Sequence, residues 1–171
     1  DGFVLYGGSR VNTSGESHVA WNWKANSTAS GSTGGSGTAK AYSARYNTTA
    51  GFSMVNWIGN GSAGQTIPHH LGVVPDFIVV KSRSNANVGY MVYHSHNTTA
   101  PETDYYNMST NDATGDHAGM WNDTAPTSSV FTVGNNANVN DSSGTWTYMA
   151  YCFKSIDGYS SFGSYTGNGN N

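Results

Sequence analysis

The sequence predicts an all-β fold: an antiparallel β-sandwich, jelly-roll or concanavalin-like, with partial repeats at both ends. Three observations carry that expectation. Short runs that alternate apolar and polar residues recur between clusters of turn-forming residues, the pattern of half-buried strands. No stretch sustains apolar residues at helical spacing. Glycine numbers 22, aromatics reach 13% and charged residues only 10%, a composition of Thr/Ser/Asn/Gly turns between aromatic and β-branched strands.

Strands are expected near 2–6, 16–24, 40–47, 51–58, 75–82, 88–95, 103–109, 129–134, 145–154 and 158–165. The first contains Phe3-Val4-Leu5 and the second Val19-Ala20-Trp21-Asn22-Trp23. The strand at 51–58 opens on Gly51-Phe52-Ser53 and closes on Trp57-Ile58. Asp76-Phe77-Ile78-Val79-Val80-Lys81 is the most continuous apolar run, entered through Leu71-Gly72-Val73-Val74-Pro75, and reads as a central strand covered on both faces. Trp146 to Phe153 also reads as central. It places Trp146, Tyr148, Ala150 and Cys152 on one face and Met149, Tyr151 and Phe153 on the other.

The chain repeats itself out of phase. Val11-Asn12, Ser14-Gly15 and Val19-Ala20-Trp21-Asn22-Trp23-Lys24 return as Val139-Asn140, Ser143-Gly144 and Met149-Ala150-Tyr151-Cys152-Phe153-Lys154, about 128 to 130 residues later. Gly51-Phe52-Ser53 and Gly59-Asn60-Gly61 return as Gly158-Tyr159-Ser160 and Gly167-Asn168-Gly169, about 107 to 108 residues later. The expected organisation is therefore the C-terminal part of a preceding repeat at 1–24, a linker and connecting strand at 25–50, a complete sandwich module at 51–157, and the start of a following repeat at 158–171. The Ser/Gly/Thr tract from Asn26 to Thr38 reads as a flexible or extended connector, because it offers little apolar surface to offset its ordering entropy.

A net charge of −3 and seven scattered Lys and Arg argue against a nucleic-acid partner, which needs a basic stripe. No apolar run approaches eighteen residues and no basic-then-apolar leader is present, so neither a membrane span nor a signal peptide is expected. One cysteine excludes an internal disulfide. Stability must come from packing or assembly.

Several blocks occur in order: Ile67-Pro68-His69-His70-Leu71-Gly72, Pro75-Asp76-Phe77-Ile78-Val79-Val80-Lys81, Tyr90-Met91-Val92-Tyr93-His94, Trp121-Asn122-Asp123 and Phe162-Gly163-Ser164-Tyr165-Thr166-Gly167-Asn168-Gly169. With them the chain resembles a tandem module of structural proteins in tailed phages, cyanophages above all, a module often found beside concanavalin-like or SPRY-like domains. The resemblance implies a β-sandwich in a virion fibre, tail appendage or capsid decoration, located on a virion surface or outside the cell. It carries no catalytic residues with it. His70 departs from the pattern, which usually has glycine there.

Catalytic and metal readings compete with structural ones. His94 and His96, two apart on an expected strand, would project from one face as a metal pair, but no third ligand is evident. His69 reads as a turn residue bonding backbone ahead of the central strand. Asn135 to Asp141, and Asn111, Asp112 and Asp116, offer oxygens for calcium, although turn formation explains them as well. Cys152 reads as a small buried side chain, and no carboxylate pair of the glycosidase kind is present. No catalytic, metal or cofactor site is therefore expected, and the chain reads as non-enzymatic.

Two interaction readings remain. Trp57, Tyr105, Tyr106 and Trp121 lie near Asn, Gly and Asp, so they are candidates for stacking on the sugar rings of a host-surface glycan. Phe3, Leu5, Trp21, Trp23, Tyr159, Phe162 and Tyr165 sit in the partial repeats and are candidates for assembly into a homo-oligomer or fibre by strand pairing. Structural assembly is the expected function, with carbohydrate binding as the alternative.

Overall fold

A computed structural model describes residues 3–6 and 11–169. It is nearly all β, in two antiparallel sheets. The strands are β1 (Ser27–Ser32), β2 (Gly34–Gly35), β3 (Ala41–Asn47), β4 (Phe52–Ile58), β5 (Gln65–Pro68), β6 (Phe77–Ser82), β7 (Tyr90–His94), β8 (Asp104–Asn107), β9 (Gly115–Asp116), β10 (Val130–Val133) and β11 (Thr147–Phe153). One short helix, α1 (Ala118–Trp121), interrupts them and ends on Asn122 in the left-handed conformation.

The large sheet runs β1-β3-β4-β11-β6-β7-β8-β9, and the small one β10-β5-β2. Period-two alternation decides which side chains meet between them. Val55 and Trp57 of β4, Ile78 and Val80 of β6, Met91 and Tyr93 of β7, and Tyr148, Ala150 and Cys152 of β11 all point inward. They meet Ile67, Phe131 and Val133 of the small sheet, with Trp57 edge-on to Phe131 at 5.7 Å and stacked on Tyr148 at 5.4 Å. β11 is central, paired to β4 on one side and to β6 on the other, so the face assignment read from Trp146 to Phe153 holds through the strand.

Seven expected strands correspond to β3, β4, β6, β7, β8, β10 and β11. Three do not. Residues 3–6, residues 16–24 and residues 158–165 belong to no strand, apart from one isolated bridge between Ile156 and Ser160; residue 2 lies outside the described residues. The alternation is present in each, but without a neighbouring strand it has no ladder to join.

The linker reading is corrected in the opposite direction. Ser27–Ser32 forms β1, paired with β3 over six positions, and Gly34-Gly35 pairs with β5. Thr33 between them is buried. Its hydroxyl accepts from the Lys40 amide at 3.0 Å and from the Gln65 side chain at 3.0 Å. A Ser/Gly tract too polar to fold alone is ordered here because β3 supplies its hydrogen bonds and the β5 edge anchors Thr33.

Candidate functional site

On the outward face of the large sheet, the positions between the core residues carry aromatic and sulfur side chains: Phe52 and Met54 of β4, Tyr151 and Phe153 of β11, Phe77 of β6. The two flanking segments arrive here from opposite sides. Trp23 stacks on Phe52 at 5.8 Å and meets Phe153 edge-on at 5.5 Å. Phe162 stacks on Phe77 at 5.4 Å and reaches Phe153 at 5.6 Å. Phe153 is thus the centre of an aromatic row, bounded by one residue from each flanking segment.

The rest of both segments is left in solvent. Trp21 is 81% exposed and Tyr165 95%. Phe3, Leu5, Trp23 and Tyr159 are also exposed, whereas Phe162 is half-buried by its stack. A groove of about 380 Å³ is lined by Trp21, Trp23, Arg45, Phe52, Met54 and Tyr151. A second, of about 410 Å³, is lined by Lys24, Asn47, Thr49, Ala50, Ile156 and Tyr159, which puts the two flanking segments at one end of the module.

Polar contacts tie this end together. The Lys154 ammonium meets Asp76 at 2.8 Å, and the Ser155 amide donates to the other Asp76 oxygen at 2.8 Å. Burial pushes the Asp76 carboxyl upward, but the Lys154 and Ser155 hydrogen bonds outweigh it and hold the group below its ordinary value. The Ser155 hydroxyl in turn accepts from the Phe162 amide at 3.1 Å, tying the aromatic row to the clasp.

The glycan candidates divide, and half of that reading is corrected. Trp57 and Trp121 are each only 2% exposed and belong to the core; Trp121 donates its indole N–H to the Asp104 carbonyl at 3.0 Å. Neither presents a ring face to a ligand. Tyr105 packs against the core, and Tyr106 stands half-buried on β8, its hydroxyl pKa raised by burial. Asn122 and Asp123 beside Trp121 adopt left-handed backbone, as turn residues do, whereas Asp104 and Asn107 are the ends of β8 itself.

His94 ends β7, but His96 lies past it in a turn, so the two rings do not share a strand face. The His96 amide donates to His94 Nδ1 at 3.0 Å and the rings meet edge to face. Among the described residues no group of three or more His, Cys, Asp or Glu is placed to hold a metal ion. Several of the oxygens considered for calcium are engaged in hydrogen bonds of turns. Asn140 Oδ1 accepts from the Asn60 and Gly61 amides, both at 2.8 Å, while its amide nitrogen donates to the Gly134 and Ser62 carbonyls. Asp141 accepts from the Ser143 amide, and Asp112 from the Thr110 hydroxyl.

His69 is fully buried. Its Nδ1 accepts from the Leu71 amide at 3.2 Å, so Nε2 carries the proton and donates to the Thr127 carbonyl at 3.1 Å. Burial lowers its pKa. His70 adopts φ 59°, the left-handed region where glycine is at ease, and stacks on Tyr42 and Tyr46 at 5.6 and 5.2 Å. Cys152 is buried and its thiol pKa is raised by that burial, as a packing residue's is.

Sequence reasoning missed the outward row of Phe52, Phe77 and Phe153 as part of the site. The signal was available in the repeat, since Trp23 copies Phe153 and Tyr159 copies Phe52. No helix among the described residues is long and apolar enough to cross a membrane. Neither a curated protein nor a solved structure matches the chain. Over residues 1–171 it matches, and belongs to, the family described as a domain of unknown function, DUF7483.

Proposed function

We propose that the protein is a non-enzymatic structural module that works by self-association and surface presentation, in a phage virion appendage or an extracellular fibre. The observation that carries this reading is the pair of aromatic segments at one end of the sandwich. They copy central strands, yet they stand outside any sheet with Trp21 and Tyr165 in solvent. The parts of these segments left in solvent gain burial if another module covers them. The resemblance to tailed-phage repeat modules supports the virion setting. The glycan reading is weakened by the burial of Trp57 and Trp121, which leaves no ring platform built from them.

Electron microscopy of the purified chain, with light scattering on the same sample, tests the proposal. Fibres, rings or a mass that rises with concentration are the expected result. A monodisperse monomer at every concentration overturns it.

A further inference from the structure

Residues 17–23 copy β11 and residues 159–165 copy β4. In the sandwich these two strands are neighbours, antiparallel, with Phe153 opposite Phe52, Cys152 opposite Ser53 and Tyr151 opposite Met54. The copies of those pairs are Trp23 with Tyr159, Asn22 with Ser160 and Trp21 with Ser161.

The repeat extends to the backbone. Gly51 and its copy Gly158 both adopt left-handed φ, 62° and 70°; so do Gly61 and Gly169, 72° and 69°, and Gly144 and Gly15, 65° and 83°. Glycine supplies such turns without steric cost, and here the copied turns are kept even where the copied segments form no strand. Neither 17–23 nor 159–166 contains Asp, Glu, Lys, Arg or Pro, the residues with which proteins guard an open strand edge. Within one chain the segments approach each other at Lys24 and Tyr159, which line one groove, but form no ladder with each other. Trp23 lies over the β4 flank of Phe153 and Phe162 over its β6 flank.

We propose that residues 17–23 of one copy pair with residues 159–165 of a second copy in the register of β11 with β4, so that each joint between copies rebuilds the central ladder of the sandwich. This deepens the assembly reading and rests on it. Alternation then puts Trp21 and Trp23 on one face with Tyr159 and Ser161, as Tyr151 and Phe153 share a face with Phe52 and Met54. The C-terminal copy has one residue more between its bounding glycines, which a β-bulge past Gly163 accommodates.

Ser160 now exchanges both backbone hydrogen bonds with Ile156. Lys154 and Gly51 form a hydrogen-bonded pair, and alternation along the ladder makes Cys152 and Ser53 another. Their copies Asn22 and Ser160 therefore need the groups that Ile156 occupies, and the bridge opens when copies join. Donating one segment while receiving the other is a head-to-tail contact, which propagates into rings or filaments.

Disulfide trapping in the full chain tests the register. Mixing Asn22→Cys chains with Ser160→Cys chains under glutathione disulfide is expected to link them at least about tenfold more than Asn22→Cys with Ser161→Cys, because a one-residue slip turns the thiol to the opposite face. Cys152, fully buried, does not compete. Equal yields in the two mixtures overturn the register. A chain carrying both Asn22→Cys and Ser160→Cys that closes only on itself overturns exchange between copies. Light scattering on the unsubstituted chain separates the levels: association without preferential 22–160 linkage removes this joint alone, whereas a monomer removes the assembly reading with it.

Discussion

β11 and residues 17–23 follow nearly the same pattern and end in opposite environments. In β11, Tyr151 and Phe153 are held between β4 and β6, with Ala150 and Cys152 sealed in the core. In the copy, Trp21 is almost free in water and only Trp23 finds aromatic neighbours. The difference teaches that a strand is not a property of its own residues. Alternation makes a segment able to lie in a pleated sheet, but cross-strand partners and a second layer make it do so.

The contrast is broken most directly by tryptophan. Trp57→Ala removes a core indole between Phe131 and Tyr148, and urea unfolding is expected to lose about 3 to 5 kcal/mol. Trp21→Ala is expected to change stability by no more than about 0.5 kcal/mol. A Trp21→Ala loss of the same size as that of Trp57→Ala would place residues 17–23 in the module's own packing.

The next effect in size belongs to Asn140 and its copy Asn12. Asn140 joins the 60–62 turn to Gly134 through four hydrogen bonds of 2.8 to 3.0 Å, so Asn140→Ala strands buried groups at a cost of roughly 3 kcal/mol. Asn12 is exposed, and Asn12→Ala in the same urea series is expected to be neutral.

The smallest effect is on pH, and it falls on the module alone. The folded state lowers the pKa of His69 through burial, which also lowers those of His70 and His94. The unfolded chain therefore binds these protons first. Stability is full above the unfolded histidine value of 6.5 and falls as the pH drops through the lowered native values, with a slope of at most about 1.4 kcal/mol per pH unit for each histidine. Asp76, also lowered, adds its loss only in the carboxylate range. Denaturation followed from pH 8 to 5 is expected to show the histidine slope, and His69→Gln to flatten it. An unchanged slope in that variant would assign it to His70 and His94.

Much of the module was legible because its strands are marked twice, by alternation and by bounding turns. Asp76 to Lys81 and Trp146 to Phe153 read as central strands, and β6 and β11 lie side by side in the middle of the large sheet. β1 was not legible. Ser27 to Ser32 has no apolar face of its own, and its order comes from the edge of β3. The same reasoning erred over Trp57 and Trp121, because neighbouring Asn and Asp in the sequence say nothing about which way a ring points. The flanking segments were legible as copies, but their convergence on Phe153 was not.

By itself the sequence determined the all-β class, the alternation that fixes inward and outward faces, the copied glycine turns and the identity of the flanking segments. These follow from local sterics and from a periodicity of two, which need no knowledge of neighbours. Only the tertiary structure decided which alternating segments became strands, that a Ser/Gly tract joined the sheet, and that both flanking segments meet at one aromatic row. Those outcomes depend on hydrogen-bond partners and covering layers far away in the chain, and a backbone group is satisfied only where such a partner arrives.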